Sequence, residues 1–198
     1  MRTEYLGHGM PNRVPLTLGT AIICLLLCCT VIGILMIPSA LLATLSGRAA
    51  GVNRRWDREA RRRFVGFIGA DPHYIDSAVF KYEDGFRGTG IAYHDGKVFM
   101  MQAGHAVEVE WRDVRRWSYS VEAPDLLTTS SNDSQVLTHV TSDNLACAYR
   151  AAKNSGFTLQ VASIDRPTWK FTTSDVSVCE RWMEILSQVD ERGGRLTA

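Results

Sequence analysis

The sequence predicts an α+β protein: a single N-terminal transmembrane helix, then a small antiparallel β-sheet or open barrel that a C-terminal helix closes. Three observations predict it. Residues 16–45 carry no charge, short segments rich in β-branched and aromatic residues follow from residue 78, and residues 175–192 repeat apolar side chains at helical spacing. The expected order is an N-terminus (1–15), the span (16–45), an arginine-rich helix (46–69), a domain (70–192) and a tail (193–198).

The uncharged run is long enough for one membrane crossing. Its 30 residues would form a helix of roughly 45 Å, against a hydrocarbon core of about 30 Å. Pro38 removes a backbone hydrogen bond, so we expect a kink there. The run is much longer than the apolar region of a cleavable signal peptide, which argues against that alternative.

Small side chains recur at four-residue spacing at the end of this run, at Ser39, Ala43 and Gly47. Such a stripe lets two helices approach closely, so a homodimer through the transmembrane helix is one interpretation. Chance recurrence in a segment rich in small residues is the other.

Seven arginines follow the run: Arg48, Arg54, Arg55, Arg58, Arg61, Arg62 and Arg63. Only Arg2 and Arg13 precede it, so the positive-inside rule predicts the N-terminus outside and the domain in the cytoplasm. Trp56, Ala60, Phe64 and Phe67 recur at helical spacing among these arginines. One hypothesis places the arginines and Trp56 in the headgroups of an anionic inner leaflet. The alternative is a topology signal followed by a linker.

The rest of the chain is acidic. Residues 64–198 contain 13 Lys and Arg against 18 Asp and Glu, a net charge of −5. Nucleic-acid binding needs a basic folded face, so no nucleic-acid partner is expected. Of the five cysteines, only Cys147 and Cys179 lie in this part; we expect both to pack inward on helices.

Strands and two helices are predicted in the acidic part. Asp95 and Gly96 predict a tight hairpin turn, residues 124–134 a long loop, and Asp143 the cap of a short helix that ends at Gly156. The predicted strands are 78–82, 90–93, 97–102, 106–111, 114–121, 157–164 and 168–172.

The last helix has the clearest pattern. Ser174 or Ser177 is expected to cap it, and Gly193 to end it. Its apolar stripe consists of Val178, Trp182, Ile185, Leu186 and Val189.

This ending resembles an uncharacterised bacterial membrane-anchored family with a pleckstrin-homology-like domain of unknown function. The resemblance is carried by the step at Asp165, Pro167 and Trp169 and by the helix core of Arg181, Trp182 and Met183. IDSAVF, GIAYHDGKVFMM and VEWRDVRRW add to it. It implies the pleckstrin-homology-like fold and a place in the bacterial inner membrane, but no activity.

No enzymatic chemistry is expected. The sequence shows no nucleophile elbow, no phosphate-binding glycine loop and no paired carboxylates, so no catalytic residue and no cofactor are predicted. The five histidines do not stand at a metal-ligand spacing, and no metal site is predicted. Lys81 and Arg87 lie beside Glu83 and Asp84, which argues against specific lipid-head binding by the domain.

The expected function is therefore a membrane-anchored cytoplasmic interaction or adaptor module with an unidentified protein partner. The candidate partner site is Trp111, Arg112, Arg115, Arg116 and Trp117. Neutralisation of these arginines by nearby acidic residues is the alternative reading of that cluster. The competing function is an immunity or exclusion protein that neutralises a toxin, secretion or phage component.

Overall fold

The computed structural model describes residues 1–7, 54–82, 85–125 and 134–193. Within these ranges the chain is an α+β protein with antiparallel sheets and three α-helices, which confirms the fold class at that level. The predicted span, its kink at Pro38, the stripe of Ser39, Ala43 and Gly47, and Arg48 lie outside the described residues. None of the described helices is both long and apolar enough to cross a membrane.

Every strand expected from the sequence is present, and one strand at the N-terminus is an addition. The strands predicted at 78–82 and 90–93 begin four and five residues earlier than expected, and the strand predicted at 157–164 ends at Val161. The strands are β1 (Arg2–Tyr5), β2 (Tyr74–Tyr82), β3 (Gly85–His94), β4 (Lys97–Gln102), β5 (His105–Glu110), β6 (Val114–Ser120), β7 (Gly156–Val161) and β8 (Thr168–Thr172). The helices are α1 (residues 54–68), α2 (Ser134–Asn154) and α3 (Val176–Glu191), and a 3₁₀ turn (Trp111–Asp113) joins β5 to β6.

Two sheets organise these strands. The first has the order β1-β5-β4-β3-β2 and the second the order β6-β7-β8, and every pairing is antiparallel. The hairpin predicted between β3 and β4 is confirmed: Asp95 and Gly96 have φ angles of 46° and 74°. Both residues therefore have the left-handed conformation that a type I′ turn requires.

Helix boundaries differ from the prediction in two places. α2 starts at Ser134, and Asp143 lies inside the helix instead of capping it. No glycine or proline occurs between Ser134 and Asn154, so nothing breaks the helix before Asp143. α3 is capped by Asp175, whose carboxylate accepts from the backbone N–H groups of Ser177 and Val178, and not by either serine. Gly193, with a φ of 62°, follows its end as expected.

The main core lies between the two sheets and α3. Trp182, Leu186 and Val189 of α3 are fully buried there, and Trp169 is 1% exposed. The indole N–H of Trp182 donates to Asp76 Oδ2 at 2.8 Å, and Arg181 forms a salt bridge with the same oxygen. The predicted apolar stripe of the last helix is therefore the face that closes the core.

A second core covers the opposite face of the five-stranded sheet. Phe64 and Phe67 of α1 pack there with Ala92, Phe99 and Met101. β4 is buried on both faces for this reason, whereas a sheet with one solvated face would alternate. A boundary at residue 70 would leave α1 outside the domain, but α1 supplies two of the six buried residues of this second core.

Candidate functional site

The helix α1 has one buried face and one exposed face. Phe64 is 0% exposed, Phe67 4% and Ala60 5%. Trp56 is half-buried, with its ring centroid 4.6 Å from that of Phe86. The apolar side chains that alternate with the arginines therefore contact the protein's own sheet.

The close fit of α1 depends on two strand glycines. A Cβ atom at Gly90 would lie 3.0 Å from Phe64 Cε1, and one at Gly88 would lie 3.2 Å from Ala60 Cβ. Because neither residue has a side chain, the helix backbone approaches β3 more closely than a larger residue would allow.

The arginines of α1 lie on the exposed face. Arg63 is only partly exposed, and its Nε donates to Glu59 Oε1 at 2.8 Å. Hydrogen bonds from Arg62 and Arg63 lower the pKa of Glu59. The exposed arginines of this helix are Arg54, Arg55, Arg58, Arg61 and Arg62.

The N-terminus joins the same domain. β1 pairs with β5 from Arg2, opposite Glu108, to Tyr5, opposite His105. Arg63 Nη1 donates to the carbonyl of Leu6 at 3.0 Å. The guanidinium of Arg2 lies 4.9 Å from the ring centroid of Phe67, within cation–π range. Four ladder residues and two arginine contacts thus attach residues 2–6 to the domain.

The candidate partner-binding cluster divides into a structural and an exposed part. The rings of Trp111 and Trp117 lie 5.4 Å apart, and both side chains pack partly against the main core. Arg112 forms a 2.8 Å salt bridge with Glu110, as the neutralisation hypothesis expects. Arg115 and Arg116 are exposed and form no salt bridge within the described ranges.

Arg115 and Arg116 lie side by side because of a shift in strand register. The pairing of β6 with β7 is irregular between Val114 and Arg116, as at a β-bulge. A bulge changes the direction in which a side chain points, so two consecutive residues can both face solvent.

The two edge strands of the three-stranded sheet, β6 and β8, differ in what contacts their outer backbone groups. On β8, the backbone N–H of Thr172 donates to Thr89 Oγ1 at 3.0 Å, and that of Lys170 donates to Gln102 Oε1 at 3.1 Å. Side chains of the larger sheet therefore cover this edge. β6 pairs only with β7 among the described strands, so its other edge has no strand partner there.

A further cluster was missed by the sequence analysis. His73 precedes β2, and His94 and Asp95 lie at the hairpin between β3 and β4. His73 Nε2 is 3.4 Å from Asp95 Oδ1, and His94 Nε2 is 3.4 Å from Asp95 Oδ2. The two imidazole ring centroids are 5.0 Å apart. One ligand atom from each of the three residues lies within 4.8 Å of the others.

Spacing along the chain could not reveal this cluster, because strand pairing creates it. Tyr74 pairs with Tyr93, so the residues just beyond them, His73 and His94, are neighbours across the end of the ladder. His94 directly follows the predicted strand 90–93, but the predicted strand 78–82 begins five residues after His73, so the strand pattern did not place the two histidines together.

Comparison with protein-family models, with curated proteins and with solved structures returned no match.

Proposed function

We propose that the protein is a membrane-anchored interaction module with a pleckstrin-homology-like domain, and that it has no catalytic role. A series of short antiparallel strands closed by a C-terminal helix supports the fold assignment. The long uncharged run and the arginines after it support the membrane anchor. In this proposal the domain binds a protein partner next to the bilayer.

The edge of β6 that has no strand partner in the described part of the chain is the observation that carries the proposal. An unpaired strand edge offers backbone N–H and C=O groups to an extended segment, which can add to the sheet as a further strand. Arg115 and Arg116 are exposed on this strand, whereas the β8 edge is covered by Thr89 and Gln102. The partner segment is therefore expected to be extended and acidic.

Photo-crosslinking in cells tests this proposal on the full-length chain. A photoreactive residue at the exposed Ser118 of β6 should crosslink to an acidic segment. The same probe at the exposed Thr168 of β8 is the matched control. The double variant R115E/R116E should abolish the crosslink from position 118. Equal crosslinking from both positions, or crosslinking that the double variant leaves unchanged, would rule out the β6 edge as the docking site.

The membrane-side arrangement also belongs to the proposal. Gly7 and Ala60 border the same cavity, and Arg54 lies six residues before Ala60 on α1, or about 9 Å along the helix. Gly7 and Arg54, the residues that flank segment 8–53, therefore belong to neighbouring parts of one domain. We propose that residues 2–7 lie on the same side of the bilayer as the domain, with the exposed arginines of α1 toward anionic headgroups. One crossing would place residues 2–7 and the domain on opposite sides, and 30 residues are too few for two crossings. In this arrangement the uncharged run therefore anchors the chain by entering the bilayer without crossing it.

This arrangement competes with the prediction from charge that the N-terminus is outside. Labelling with a membrane-impermeant maleimide distinguishes them, using T3C and H139C in a chain that lacks its five native cysteines. Both positions are exposed. Equal protection or equal labelling in intact cells supports the same-side arrangement. Labelling of T3C alone would support the N-terminus outside and reject the proposed arrangement.

A further inference from the structure

We propose that His73, His94 and Asp95 form a binding site for a divalent transition-metal ion of the Zn²⁺ class. Two imidazole nitrogens and one carboxylate are a donor set that Zn²⁺ accepts, and three protein ligands leave a position for water or for a group from another molecule. Ca²⁺ and Mg²⁺ prefer all-oxygen ligands and suit this set poorly.

The distances fit metal ligands better than hydrogen-bond partners. With metal–ligand bonds of 2.0–2.1 Å, two ligands of a tetrahedral Zn²⁺ are about 3.3 Å apart. His73 Nε2 lies 3.4 Å from Asp95 Oδ1 and His94 Nε2 lies 3.4 Å from Asp95 Oδ2, so each imidazole has its own carboxylate oxygen at this spacing. The three ligand atoms lie within 4.8 Å of one another, so binding an ion would draw them slightly together. A charge-assisted hydrogen bond between an imidazolium and a carboxylate would be shorter, about 2.7–2.9 Å.

The three groups are held by the hairpin and by the adjacent strand. The left-handed φ of 46° at Asp95 places its carboxylate at the tip of a tight turn. The Gly96 N–H of the same turn donates to Tyr93 Oη at 3.2 Å. His94 Nε2 faces Asp95, whereas His94 Nδ1 is buried and has no hydrogen-bond partner in the described ranges. The hairpin therefore positions the donor atoms of His94 and Asp95, and strand pairing brings His73 beside them.

Side-chain exposure agrees with an accessible site. The side chains of His73, His94 and Asp95 are 32%, 21% and 75% exposed. An ion can reach the three donors from solvent, and an open coordination position would face outward. This site is independent of the β6 edge and of the membrane arrangement.

Metal titration of the purified full-length chain in detergent tests the site. The protein carries a histidine-free affinity tag, is stripped with a chelator, and is titrated with Zn²⁺ and, in parallel, with Co²⁺ as a spectroscopic probe. We expect one tightly bound ion per chain and an intense visible Co²⁺ band typical of tetrahedral coordination. Mg²⁺ at the same concentration should not displace the ion.

Three variants connect the binding to these residues. H73A and D95N should each weaken Zn²⁺ binding at least about tenfold and remove the Co²⁺ band, since changes even to outer-shell partners cost 10- to 100-fold. Asparagine tolerates a left-handed φ, so D95N should preserve the turn. H139A removes an exposed histidine of α2 and is the matched control. Absence of Zn²⁺ binding by the wild-type chain, or equal affinity of H73A and H139A, would overturn the proposal.

Discussion

Replacing Phe64 with alanine tests whether α1 is part of the folded domain or a helix on the membrane surface. Phe64 is fully buried against the five-stranded sheet, with Gly90 directly beneath its ring. A Phe→Ala change at a buried site costs about 3–5 kcal/mol, because transfer free energy is lost and a cavity remains. The packed strand beneath the ring gives the site little means of collapse.

The predicted effect is large enough to measure on the full-length chain in detergent micelles. For a protein of this size, Tm falls by about 2–4 °C for each kcal/mol of unfolding free energy lost. A loss of about 4 kcal/mol therefore lowers Tm by roughly 8–16 °C. Thermal unfolding followed by far-UV circular dichroism measures this change. R61A, on the exposed face of the same helix, should change stability by no more than about 0.5 kcal/mol.

A double-mutant cycle makes the test specific to the contact. In the wild-type background, G90A places a Cβ 3.0 Å from Phe64 Cε1 and 3.0 Å from the Asp76 carbonyl oxygen, and such overpacking costs about 1–3 kcal/mol. Only the contact with Phe64 is removed by F64A, so the cycle isolates that contact. In the F64A background the ring is gone, so the same G90A change should cost less. If F64A and R61A unfold at the same temperature, or if G90A costs the same in both backgrounds, the docking of α1 on β3 is refuted.

Three further predictions concern the core hydrogen bond, two glycines and acid stability. D76A should lower the free energy of unfolding in denaturant by about 1–3 kcal/mol, because it leaves the buried Trp182 N–H without an acceptor. D76N keeps an acceptor oxygen and should lose less stability; equal losses in the two variants would exclude the hydrogen bond as the cause. G66A, with open space around the new methyl group in α1, should stabilise by about 0.5–1 kcal/mol. G156A should destabilise strongly, since its Cβ would lie 2.3 Å from a β8 carbonyl oxygen at a φ of 149°, and a gain in Tm would contradict this. Hydrogen bonds from Arg62 and Arg63 lower the Glu59 pKa below its ordinary 4.5, so the stabilisation is present above that pH and is lost as the pH falls through the lowered pKa. E59Q should therefore lower Tm at pH 7, and the Tm difference from wild type should shrink as the pH falls below 4.5.

Local sequence signals predicted most of the domain's elements. β-Branched and aromatic segments identified β2 to β8, and the Asp95–Gly96 turn had the backbone conformation that its residues favour. Helix ends were harder to predict. Three polar residues compete to cap α3, and Asp175 is the one whose carboxylate meets the free N–H groups.

Two features of the domain depend on long-range contacts. β1 has only four residues, and its pairing with β5 joins chain segments about a hundred residues apart. The stripe of Ala60, Phe64 and Phe67 is equally compatible with a bilayer or a sheet, since both are apolar surfaces. Gly88 and Gly90 on β3 give the helix a surface that it can approach closely.

The sequence by itself determined the uncharged run, the separation of basic and acidic charge, the strand pattern and the apolar face of the last helix, because each depends on residues close together in the chain. Only the tertiary structure decided what covers the second face of the large sheet, which edge of the small sheet has no strand partner among the described strands, and that His73 meets His94 and Asp95. Strand pairing and helix docking bring distant residues together, and local periodicity carries no record of which distant residues will meet.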